Sequence, residues 1–76
     1  MDDRVRHIMA VALELPEHQI DEHLGAEHTA NWDSIRHLNL VMALEDAFAV
    51  SFSTDELAGL TSYRAIMEAL GQRGVA

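Results

Sequence analysis

The tripeptide Asp33-Ser34-Ile35 sets a hydroxyl nucleophile between a carboxylate and an apolar residue. Read locally, Asp33 is a helix N-cap and Ser34 the first helical residue, and taken alone the tripeptide is an ordinary capped helix start. It also allows a modified serine. A phosphate ester on Ser34 would lie at a first helical turn, where unpaired backbone N–H groups and the positive end of the helix dipole favour an anion. It would sit at the end of a long connection, open to a modifying enzyme.

The other chemistry-bearing side chains are histidines. His18, His23 and His28 share an acidic stretch with Glu17, Asp21, Glu22 and Glu27. Their spacings match neither a helical i, i+4 pair nor a zinc-finger pattern, so they read as solvated loop residues and no metal site is expected. His37 follows Ser34 by one turn, and a Ser–His–Asp set could be drawn with Asp33. Asp33 adjoins the serine instead of orienting the histidine, and the chain offers no evident oxyanion pocket. No enzyme is expected. Cysteine is absent, so any thiol chemistry must come from an attached group.

The elements that would position Ser34 follow from periodicity. Val5, Ile8, Met9, Ala12 and Leu15 recur at helical spacing, widened by Val11 and Leu13, which predicts a helix from about Asp3 to Leu15 that Pro16 stops. Asp2 and Asp3 suit its N-terminus. Residues 16–32 form a long connection anchored by Ile20 and Leu24, with Gly25 marking a turn; connections of this length are often functional. A second helix spans Ser34 to Phe48, apolar over most of its circumference except a polar stripe of Arg36, Asn39 and Asp46. Ile35 and Met42 border that stripe and are expected to be exposed. With Asp33 as N-cap, Trp32 and His37 occupy the positions of a staple.

Val50-Ser51-Phe52 reads as an extended loop pinning hydrophobes in the core. Ser53 and Glu56 match a capping box opening a short helix. Thr61 or Ser62 caps a last helix with Tyr63, Ile66, Met67 and Leu70 inward, ended by Gly71 and Gly74. The expected fold is all-α: one domain over residues 1–76, a small four-helix bundle of three main helices and a short one, with a long loop between the first and second.

The net charge of −8 arises from 13 acids against five basic residues, all arginine. Nucleic acid is an unsuitable partner, since phosphate binding needs a basic face. No run reaches the roughly 20 apolar residues of a membrane span, and no secretory signal precedes the first helix, so a soluble cytoplasmic monomer is expected, without membrane insertion.

From Asn31 nearly to the C-terminus the chain resembles the acyl carrier protein family. The shared pieces are Asp33-Ser34-Ile35, the run Leu38-Asn39-Leu40-Val41-Met42-Ala43-Leu44-Glu45, and the alternating Phe48, Val50 and Phe52. They continue in Asp55-Glu56-Leu57 and in the Thr61-Ser62 cap with Ile66. The first helix and long loop fit in length and pattern only. The resemblance implies that a phosphopantetheinyl transferase moves 4′-phosphopantetheine from coenzyme A onto Ser34, beside Asp33 and Ile35. The arm's thiol would then hold an acyl group as a thioester for acyl-loading and acyl-transferring enzymes, as in fatty acid or lipid biosynthesis.

Trp32, Ile35, Arg36, His37 and Asn39 depart from the pattern of fatty-acid carriers: Trp32 stands where a small residue is usual, Ile35 where Leu or Met is, and Arg36, His37 and Asn39 where acids are. This looks more like a discrete carrier of a dedicated pathway. Its partners would meet Trp32, Arg36, Asn39, Met42, Glu45 and Asp46. A stand-alone peptidyl or aminoacyl carrier, and an unmodified helical interaction module, are the alternative readings.

Overall fold

Helical spacing of apolar residues and polar caps at the helix starts account for most of the architecture. The computed structural model describes residues 3–75; Asp2, expected at the first helix N-terminus, lies outside them. In chain order come α1 (Asp3–Leu13), α2 (Ser34–Phe48), the short α3 (Thr54–Gly59) and α4 (Tyr63–Gln72). The long first connection carries 3-10 turns at Glu17–Gln19 and Ala26–His28. Among the described residues the β-structure amounts to an isolated bridge between Gly25 and Ser62. The chain is thus an all-α bundle of three main helices and a short one.

The starts of α2, α3 and α4 are each set by a side chain that accepts an otherwise unpaired N–H of the first turn. Asp33 accepts from Arg36 N–H, and Ser62 from Ala65 N–H. Ser53 and Glu56 form the reciprocal capping box read in the sequence.

Helix ends also follow a common rule. In α1, α2 and α4 a residue with positive φ turns the chain back, and the next residue donates its N–H to a carbonyl five residues earlier. The pairs are Glu14 (φ 57°) with Leu15 to Ala10, Ala49 (φ 55°) with Val50 to Glu45, and Gly74 (φ 75°) with Val75 to Leu70. Each is a left-handed C-cap whose following apolar residue packs on the core. The first helix therefore stops at Leu13, not at Leu15, because Glu14 breaks it before Pro16 is reached. Gly71 lies inside α4, and Gly74 alone supplies the turn.

The core is assembled from all four helices and the loop. Val5, Met9 and Leu13 of α1 meet Leu40, Val41, Leu44 and Phe48 of α2, with Ile66 and Leu70 of α4 completing it. Ile20 and Leu24 anchor the loop as expected, and Trp32 is a third anchor, only 7% exposed. Val50 and Phe52 are half-buried at its margin. Val11, expected to widen the buried stripe of α1, is instead exposed. Gly25 does not itself turn: its backbone is extended and pairs with the start of α4, through Ala26 N–H to Thr61 O and Tyr63 N–H to Leu24 O.

Candidate functional site

Ser34 is the first residue of α2 and is exposed. Its hydroxyl makes no hydrogen bond among the described residues, so nothing in the bundle masks it. Asp33 beside it has two engagements. One oxygen accepts the Arg36 N–H at 2.9 Å, and the other accepts from the Arg36 guanidinium at 2.6 Å. The backbone bond, aided by the charge and side-chain bond of Arg36, holds the Asp33 carboxyl below its usual range. Asp33 stays ionised and keeps the helix start fixed.

Arg36 is not a free cation. Its Nε donates to Glu14 at 3.0 Å while its other arm holds Asp33, and the pairing raises its already high pKa, with the Glu14 hydrogen bond first among the causes. The end of α1 and the start of α2 are thereby clamped together. Asn31 strengthens the junction, donating to the Leu13 and Glu14 carbonyls left unpaired at the end of α1.

Behind Ser34 lies a second set of ties. Trp32 Nε1 donates to His37 Nδ1 at 2.9 Å, and His37 Nε2 meets the Leu57 carbonyl of α3 at 2.9 Å. The indole N–H can only donate and the carbonyl can only accept, so the proton of a neutral imidazole belongs on Nε2. The rings of Trp32 and His37 lie with centroids 6.2 Å apart, tilted 31°. The expected staple is present, joined by a hydrogen bond as well as by packing. With both nitrogens engaged, His37 cannot serve Ser34 as a base, which disposes of the hydrolase drawing. Trp32, His37, Ala26 and Thr61 wall a cleft of about 220 Å³ beside Ser34 and Asp33.

The remaining expected contact residues divide. Ile35 is 74% exposed and Met42 57%, as expected, and Leu38, on the same apolar girth of α2, is 50% exposed. The spacing i, i+3, i+7 aligns the three into an apolar strip running down α2 from Ser34. Asn39 and Asp46 are exposed near it. Glu45 is half-buried and accepts the Phe52 N–H at 2.9 Å, tying the extended segment to α2. Trp32, 7% exposed, sits in the core and borders the cleft beside Ser34. Among the described residues no three His, Cys, Asp or Glu side chains converge to hold a metal. His28 instead bonds the His23 carbonyl, and His7 meets Glu17.

Sequence comparison adds the remaining finding. The chain is 34% identical over 76 residues to acyl carrier protein 3 of Ralstonia nicotianae, an alignment covering 95% of this chain and 87% of that protein. No family model matches the chain.

Proposed function

The chain belongs to the acyl carrier protein family, and on that premise we propose that Ser34 bears a 4′-phosphopantetheine arm donated by coenzyme A. The observation that carries the proposal is the exposed Ser34 hydroxyl, unmasked at the head of a 15-residue helix. The residues around it suit such a group. The first turn favours an anion, the cleft beside Trp32 and Thr61 leaves room next to the ester, and Asp33 and Arg36 hold the turn still. In the modification Ser34 Oγ forms the bond to the phosphorus that bears pantetheine as the pyrophosphate bond of coenzyme A breaks; adenosine 3′,5′-bisphosphate leaves with the bridging oxygen, and the hydroxyl proton passes to the transferase. The arm supplies the thiol that this cysteine-free chain lacks, on which an acyl group is held as a thioester.

The strip of Ile35, Leu38 and Met42 is the surface the transferase and the acyl-loading enzymes would meet, with Asn39 and Asp46 beside it. Because Arg36 is neutralised by Glu14 and Asp33, the missing acid at Asn39 is what sets this surface apart from fatty-acid carriers. That supports service to a dedicated pathway. Residues 1–76 would act as one domain. No helix among the described residues is long and apolar enough to cross a membrane. The test is intact mass and peptide mapping after incubation with coenzyme A and a broad-specificity phosphopantetheinyl transferase. One added arm on Ser34, lost in Ser34→Ala, is expected; an unmodified chain, or a Ser34→Ala chain that still gains the arm, would end the proposal.

A further inference from the structure

Resting on the reading of Ser34 as the attachment site, we infer that His37 is a positioning residue for its modification, acting through the hydrogen bond from Trp32. Trp32 precedes Asp33 and Ser34 directly, so the attitude of the indole sets how the chain enters α2. The approach to that point is a long connection whose regular structure is limited to two 3-10 turns. Two clamps stop it from swinging. On one side Arg36 and Asn31 bind it to the end of α1. On the other, Trp32 is held by His37 Nδ1 at 2.9 Å, and His37 is in turn oriented by the Leu57 carbonyl at 2.9 Å. Leu57 belongs to α3, a helix of six residues, too short to be stable without packing. The imidazole therefore joins the entry to the serine, the first turn of α2 and the last turn of α3 in one line of bonds.

The chemistry requires a side chain that accepts at one point and donates at another. The indole belongs to a buried residue, and its N–H has no other acceptor among the described residues. Losing its partner would strand a buried donor, and the indole would turn to find another, moving the two residues that follow it. A transferase must bring Ser34 Oγ into line with a phosphorus atom, and misplacement on the ångström scale costs rate heavily.

The molecule holds a single tryptophan, so one indole N–H resonance reports the bond directly. The variants H37Q, H37N and W32F separate its parts. An asparagine oxygen can stand where Nδ1 stood and keep the Trp32 bond. A glutamine nitrogen can stand where Nε2 stood and keep only the Leu57 bond. W32F removes the donor while retaining an aromatic ring. Each full-length apo chain is first checked for helicity by circular dichroism, then modified with coenzyme A and a transferase and followed by intact mass.

In H37Q the indole resonance should move upfield, and in H37N it should stay near its wild-type position. The kcat/KM for modification should fall about tenfold in H37Q and in W32F, no further in the double variant, and little in H37N. Equal, non-additive losses are the mark of one shared bond. If H37Q does not fold, W32F and H37N carry the same comparison. The inference is overturned if H37Q or W32F folds and is modified at the wild-type rate, if H37N keeps the indole resonance yet is as slow as H37Q, or if the two losses multiply in the double variant. Absence of any modification of the wild type would instead refute the Ser34 reading on which this one stands.

Discussion

Truncating Phe48 should destabilise the bundle far more than truncating Met42, although both lie on α2 six residues apart. Phe48 is 8% exposed at the point where α1, α2 and the extended segment meet, and the Arg4 guanidinium stacks 4.6 Å from its ring centroid. Removing a buried Phe side chain costs about 3–5 kcal/mol through lost transfer energy and the cavity left behind. Met42 is 57% exposed, so less than half of its side chain is removed from water and the loss should be about 1 kcal/mol. At roughly 0.05–0.15 kcal/mol per residue, a 76-residue chain has about 4–11 kcal/mol in total. Phe48→Ala therefore consumes a large share of it, and Tm should fall by about 12–40 °C against about 4–8 °C for Met42→Ala. Phe48→Leu serves as control, and as substitute if the alanine variant is unfolded in water. It keeps most of the volume and loses the aromatic face under Arg4, a contact of about 0.5–1 kcal/mol, plus a repacking cost below about 1.5 kcal/mol. Urea melts give the numbers. Equal losses for Phe48→Ala and Met42→Ala would refute the assignment of the two faces of α2.

Other expectations rest on single contacts. Arg73, bonded to Glu56 at 2.5 Å, holds that carboxyl down at about 2 from its ordinary 4.5. A depressed folded pKa gives stability that is complete above about 4.5 and is lost as pH falls toward 2. In Glu56→Gln the urea midpoint should fall less across that window; an unchanged slope would refute the pairing. Ala49 adopts φ 55°, strained for a residue with a Cβ, so Ala49→Gly should stabilise by about 0.5–1 kcal/mol after the entropy of the unfolded glycine is counted. A loss would argue against the left-handed cap. Asn39→Glu restores an exposed acid without disturbing the Arg36 clamp, and should raise loading by a fatty-acid enzyme with a basic docking face a few-fold at low salt, the scale of one exposed charge pair. No gain would remove the case for a specialised partner.

The parts of the fold that were legible in the sequence depend on neighbours a few residues apart. The cap at Asp33, the box of Ser53 and Glu56, the cap at Ser62 and the span of α2 need only a side chain and an N–H within one turn. Burial of Leu40, Leu44, Ile66 and Leu70 follows from helical period. That logic misplaced Val11 and left Leu38 unassigned because a broad apolar girth does not reveal which side meets the core; the position of α1 against α2 decides it. The stop at Glu14 was hidden because a left-handed cap is most often signalled by glycine. The apolar residue just after it, Leu15, was the available sign, repeated at Val50 and Val75.

At the candidate site the same division holds. Residue types alone determined that Ser34 heads a helix, that Asp33 caps it and that any thiol must be attached to the chain. Only the tertiary structure decided the state of their neighbours. Arg36 meets Glu14 across 22 residues of chain and Leu57 meets His37 across 20, so a residue that reads as a free cation is neutralised, and one that reads as a base is engaged on both nitrogens. Trp32 reads equally as surface or core until the loop is folded back. Local hydrogen bonds are set by sequence spacing. Contacts between distant segments exist only once the hydrophobic core has fixed which helix lies beside which.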